Sequence, residues 1–167
     1  MKKSILSLII FCLTFGVYSQ IENQLPEVVI TAVNYKYLNA VENEEIDLSV
    51  QMLQEQVAMY DLKNSELYGD EYETYTVSFF IPDGKILAAY DKNGKIIRTI
   101  EKFKNIKLPK SVREAVYKRF PNWSLEKDVY LVNYHSKNEK VSKEYKVKLK
   151  NGEKTMRVKL TEDGNFM

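Results

Sequence analysis

Few residues in this chain pair a reactive side chain with a reactive setting. The single histidine, His135, has no HxxxH, HExxH or HxGH companion with which to hold a metal or contact a phosphate. It closes a β-rich run beside Ser136-Lys137-Asn138 and reads as a surface residue. No serine sits in a G-x-S-x-G elbow. Gly84 and Gly94 are separated by a whole strand, so they are turn positions and not parts of a phosphate-cradling loop. Asp70, Glu71 and Glu73 form the densest carboxylate run, but they lack the ligand spacing and turn glycine of a calcium loop and read as a solvated hairpin loop. No catalytic residue, metal ligand or cofactor contact is therefore assigned.

The remaining chemistry is recognition. Tyr145, Val147 and Leu149 alternate with Lys146, Lys148 and Lys150, while Met156, Val158 and Leu160 alternate with Arg157 and Lys159. Taking Asn151-Gly152 as a two-residue loop puts Lys146 opposite Arg157, Lys148 opposite Thr155 and Lys159 opposite Glu144. Like charges set opposite one another cost a few tenths of a kcal/mol to about 1 kcal/mol. In the preceding hairpin, a turn over Pro82-Asp83-Gly84-Lys85 sets Phe80 opposite Leu87 and Ser78 opposite Ala89. The expected surface is a sheet face with an apolar half and a cationic half. Its candidate partner-binding residues are Phe80, Leu87, Lys146, Lys148, Arg157 and Lys159, and the partner they imply is a protein or peptide with acidic and apolar groups. The competing expectations are a structural envelope protein that self-associates through strand edges or the apolar face, and an N-terminal segment folded over the apolar half.

These residues need a scaffold, and the sequence outlines one. Tyr75, Val77, Phe79 and Ile81 alternate along one strand, Ile86, Ala88 and Tyr90 along the next, and Asp91-Lys92-Asn93-Gly94-Lys95 turns into a third through Ile96, Ile97 and Ile100. In LPKSVREAVYKRFPNW, Val112, Val116 and Phe120 recur every four residues while Lys110, Arg113, Lys118 and Arg119 face out. Pro109 suits the start of that helix and Pro121 stops it. A shift of 70 residues aligns Tyr60 with Tyr130, Tyr75 with Tyr145, Tyr90 with Leu160 and Gly94 with Gly164. Such self-similarity reads as one supersecondary unit used twice. A strand around Asp128 to His135 then has its counterpart at Ala58 to Ser65. The matching first helix falls around Glu42 to Gln56, where Ile46, Val50 and Leu53 share a face and Asp47 or Ser49 can cap. Ahead of it, LPEVVITAVNYKYLNAV is β-rich and predicts an added strand or edge cover. The fold class is α+β, a tandem repeat of helix plus four-stranded antiparallel sheet with the helices packed on one face.

Residues 1–19 resemble a secretory leader: Lys2 and Lys3, an apolar stretch from Ile5 to Val17, and Val17-Tyr18-Ser19 before a cut after Ser19. The destination is periplasmic or secreted. Cys12, the single cysteine, lies within the leader, so the mature chain has no thiolate or disulfide. Residues 20–56 form an N-terminal extension with the first helix, 57–102 the first repeat sheet, and 103–167 the second repeat. Charge is divided along the chain. Residues 20–83 carry 13 acidic and 2 basic groups, net −11; residues 84–167 carry 10 acidic and 21 basic, net +11. The mature balance is zero, which argues against a nucleic-acid binder.

YTVSFFIPDGKILAAYDKNGKI, LPKSVREAVYKRFPNW and YKVKLKNGEKTMRVKLTEDGNF together resemble the PepSY-like, or β-lactamase-inhibitor-like, family of secreted Bacteroidetes proteins over most of residues 57–167. The resemblance implies a tandem antiparallel-sheet architecture and a non-enzymatic, inhibitor-like role. The matching residues are turn glycines, a Leu-Pro helix start and strand tyrosines, which specify fold more than activity.

Overall fold

The computed structural model describes residues 34–43, 45–138 and 140–167. Among these, alternating apolar side chains build six strands: β1 (Thr74–Ile81), β2 (Gly84–Asp91), β3 (Ile96–Lys104), β4 (Ser124–His135), β5 (Lys140–Asn151) and β6 (Lys154–Thr161). They form one antiparallel sheet whose order, β1-β2-β3-β4-β5-β6, follows the chain. Three α-helices, α1 (Tyr35–Val41), α2 (Leu48–Ala58) and α3 (Lys110–Arg119), and a 3₁₀ turn at Ser136–Asn138 complete the described fold.

One face of the sheet is the core. Tyr75, Phe79, Ile86, Ala88, Tyr90, Phe103, Tyr130, Val132, Tyr145, Val147, Leu149 and Leu160 are buried there with Tyr37 and Val41 of α1, Val50, Leu53 and Val57 of α2, and Val112 and Val116 of α3. An α+β architecture with helices on one face is thus what the pattern specifies. Asp47 caps α2, accepting the Ser49 backbone N–H at 3.0 Å. Pro109 precedes α3 directly, and Phe120 leaves its end to pack edge-on against Phe166.

α1 is fastened through a buried polar cluster. Glu101 of β3, fully buried, accepts from the Tyr37 hydroxyl at 2.8 Å, Gln54 Nε2 at 2.8 Å and Thr99 Oγ1 at 2.7 Å. Burial pushes the Glu101 carboxyl up, and the three donors partly offset it. Lys143 Nζ, on the same side of β5, donates to the Glu42 carbonyl at 3.1 Å just past the end of α1 and pairs with Glu162 at 3.0 Å.

Several expectations are corrected. α3 separates two groups of three strands, not of four, because residues 58–65 form no strand: Ala58 ends α2 and turns follow. Part of the β-rich N-terminal stretch, Tyr35–Val41, is helical, since the buried contacts of Tyr37 and Val41 outweigh local propensity. The remainder of that stretch before Asn34, and the leader, lie outside the described residues. The 70-residue correspondence does appear in the hairpins. The β1–β2 and β5–β6 registers, Tyr75↔Tyr90 and Tyr145↔Leu160, are equivalent under it. So are the exit turns, where Gly94 and Gly164 adopt φ of 80° and 81°. The Leu160↔Phe166 bridge repeats the Tyr90↔Ile96 pair. The correspondence fails at Tyr60, which packs against Phe79 and Tyr90 outside any strand while Tyr130 lies within β4.

Both hairpin registers differ from those read from the sequence. The two residues between β5 and β6 are Gly152 and Glu153, so Asn151 pairs with Lys154. Gly152 takes φ 57° at the first central position and Glu153 does not have positive φ, which is the demand of a II′ turn and not of an Asn-Gly I′ turn. Between β1 and β2 the loop is Pro82-Asp83, with Pro82 supplying the fixed φ of a first turn position. Gly84 consequently begins β2, pressed so closely on the buried Phe103 ring that an added Cβ would lie 2.3 Å from its Cδ1.

Candidate functional site

The face opposite the helices is built by the alternate residues of the same strands. Cross-strand rows follow from the ladders. Ser78 faces Leu87, Ile100 and Asn133 in succession; Phe80 faces Lys85, then Lys102, Leu131 and Glu144. Further along, Lys104 leads to Val129, Lys146 and Lys159, and Lys127 leads to Lys148 and Arg157. The predicted residues Phe80, Leu87, Lys146, Lys148, Arg157 and Lys159 therefore share this face. Phe80 is 67% exposed, Leu87 40% and Ile100 42%, while Lys146 and Lys148 are half-buried and Arg157 and Lys159 exposed. Among the described residues no element covers them.

Their neighbours are not those expected. Phe80 sits opposite Lys85 rather than Leu87, and Ser78 opposite Leu87 rather than Ala89. Lys146 faces Lys159 and Lys148 faces Arg157, so two like-charged pairs stand where one was expected, and Thr155 and Glu144 are displaced to Lys150 and Thr161. Each hairpin loop begins one residue away from its expected position or is shorter by two. Such a change slides partners past one another without turning side chains to the other face. The division into halves is also less clean. Lys85, Arg98 and Lys102 interleave with Phe80, Leu87 and Ile100, so cations run across the whole face.

Two carboxylates temper that charge. Glu144 lies 3.7 Å from Lys146 and 3.3 Å from Lys159, and Glu126, at the β4 bulge, lies 2.7 Å from Lys148. Hydrogen bonding to Lys148 draws the Glu126 carboxyl below its ordinary range. Exposed pairs of this kind contribute little to stability, and they leave Arg157 with no ion pair among the described residues. At the β6 edge the Arg119 guanidinium lies 4.5 Å above the Phe166 ring, lining a cleft with Phe120, Arg157 and Lys159.

The buried groups whose proton affinities burial raises lie on the helix side, away from this surface. Burial raises Tyr90, Tyr130 and Tyr145 well beyond the ordinary phenol range, and it pushes Asp128 up to about 6 while the Ile106 backbone N–H donates to its carboxylate. These are core positions. His135 ends β4, half-buried, and its Nδ1 accepts the Lys137 backbone N–H at 3.2 Å. Asp70, Glu71 and Glu73 lie in or beside the exposed turns before β1.

No family model matches the chain, and no curated relative does. Among solved structures, a BLIP-like protein from Bacteroides fragilis is similar at 17% identity over 59% of this chain and 68% of that one, with a TM-score of 0.32. A likeness of that extent carries no argument about activity or partner, and no match supports a PepSY module in particular.

Lys85, Ile100, Lys102 and Lys104 belong to the face and were not singled out from the sequence. Within RTIEKFK, Ile100, Lys102 and Lys104 alternate outward while Thr99, Glu101 and Phe103 share the inward phase.

Proposed function

We propose that the chain is an exported, non-enzymatic binding module whose open sheet face receives an acidic segment of a protein or peptide. The observation that carries this reading is the coincidence, on one face that no described element covers, of exposed Phe80, Leu87 and Ile100 with lysines and arginines on every strand from β2 to β6. Charge complementarity selects the occupant: an acidic chain relieves the Lys146–Lys159 and Lys148–Arg157 oppositions, and its apolar side chains rest on Phe80 and Leu87. Long-range attraction would set the encounter rate and the apolar contacts the residence time.

A displayed library of random peptides tests this. Enrichment of sequences combining Asp or Glu with aromatic or aliphatic residues is expected, with binding weakened about tenfold or more in a Lys146→Glu/Arg157→Glu double variant and in Phe80→Ala. Unselective capture, or equal affinity in all three proteins, would refute it. Concentration-dependent sedimentation decides against the self-associating alternative if the protein stays monomeric.

A further inference from the structure

At the β1–β2 end of the open face the sheet forms a cleft of about 330 Å³ lined by Phe80, Asp83, Lys85, Lys102 and Lys104 together with the turn backbone. Lys85 stands directly opposite Lys102, and Lys104 follows on the same side of β3. Directly opposed side chains have Cβ atoms roughly 5 Å apart, and alternate residues on a strand are separated by roughly 6.6 Å, so three lysines line one small volume. None of the three forms an ion pair among the described residues. Asp83 is the cleft's one carboxylate, and three positive charges less one leave a formal +2.

We infer that this cleft binds a phosphate monoester whose organic part is apolar and lies against Phe80. A formal +2 is matched by a dianion, and a phosphate monoester carries about −1.5 to −2 near pH 7. The cleft offers point-charge ammonium donors and no guanidinium, which suits a compact tetrahedral oxyanion with three equivalent oxygens better than a planar carboxylate gripped in bidentate fashion. Phe80, 67% exposed at the rim, supplies a ring face for the group that carries the phosphate. Binding would also relieve the Lys85–Lys102 opposition, which no protein carboxylate relieves as a paired contact. The inference adds a ligand to one end of the proposed face; Phe80 serves both readings, so Lys102→Gln reads the cleft and the Lys146→Glu/Arg157→Glu variant reads peptide binding.

Calorimetric titration of the folded protein with phenyl phosphate, benzenesulfonate and inorganic phosphate decides the matter. Saturable binding of phenyl phosphate is expected, about tenfold tighter than the monoanionic sulfonate at pH 7.5, with the margin closing below pH about 6 as the monoester gains a proton. Lys102→Gln should weaken phenyl phosphate about tenfold, Phe80→Ala should erase its advantage over inorganic phosphate, and Lys95→Gln, at a remote exposed turn, should change neither. A parallel arm with phosphatidylcholine vesicles, with and without phosphatidic acid, separates sources. Capture dependent on phosphatidic acid assigns the monoester to a lipid headgroup, and phenyl phosphate binding without vesicle capture assigns it to a soluble compound. Absence of saturable binding, equal affinity for phosphate and sulfonate, or indifference to Lys102→Gln in a variant of unchanged thermal stability would overturn the inference.

Discussion

Asp128 fastens the connection between β3 and α3 to the sheet: its carbonyl accepts from Asn105 at 3.1 Å, and its carboxylate from Ile106 at 3.2 Å. Replacing it with Asn keeps an acceptor of the same shape and removes the ionisation. In the wild type, burial raises the carboxyl from the usual 3.8 to about 6, against the opposing effect of the Ile106 hydrogen bond. The folded state therefore holds the proton more tightly than the unfolded chain. Its stabilising contribution is complete below pH 3.8 and is lost as pH rises through about 6. At about 1.4 kcal/mol for each tenfold change in proton affinity, the span corresponds to about 3 kcal/mol, an order-of-magnitude figure appropriate to a side chain that is almost wholly buried. Urea unfolding of both proteins across that range would measure it. The stability of the wild type minus that of Asp128→Asn should fall by about 3 kcal/mol between pH ~3.5 and ~7.5, with its steepest change between pH 4 and 6. Other titrating groups largely cancel in the difference. Parallel pH profiles, constant within about 0.5 kcal/mol, would refute the claim that burial raises the proton affinity of this carboxyl.

Two further substitutions probe the scaffold. Tyr37→Phe removes one of three donors to the buried Glu101 carboxylate and should lower unfolding free energy by about 1–3 kcal/mol in chemical denaturation, an effect absent if α1 does not dock through this cluster. Gly84→Ala drives a methyl into the Phe103 ring and should cost about 1–3 kcal/mol, read as a lower Tm with the same sheet circular dichroism; an unchanged Tm would place Gly84 elsewhere.

How much was legible depends on where tertiary contacts override local pattern. Tyr75, Phe79, Ile86 and Tyr90 point inward as their alternation requires, and the helix of Val112 and Val116 starts after Pro109 as its chemistry requires. The open face followed from the same alternation, which is why all six proposed contact residues share it. Their pairings did not follow. Register was decided by whether Gly152 occupied the first or second central turn position, and a two-residue window cannot distinguish these without the twist of the flanking strands. Nor could Glu101 be recognised as a core residue, because its acceptance inside depends on Tyr37 and Gln54, 64 and 47 residues away. α1 was hidden for the same reason: its β-branched and aromatic composition reads as strand until Tyr37 and Val41 are given something to pack against.

Strand order along the sheet is strand order along the chain, so each ladder except β3–β4 closes over a tight connection or a single 3₁₀ turn. Loop-closure entropy is small for such neighbours, and assembly can proceed as two independent zippers, one growing from the β1–β2 turn and the other from the β5–β6 turn. The single long closure carries α3 across to join Lys102 with Leu131 and Phe103 with Tyr130. That seam is where a folding transition state would be concentrated, and substitutions at Phe103 should slow refolding while those at either distal turn mainly hasten unfolding.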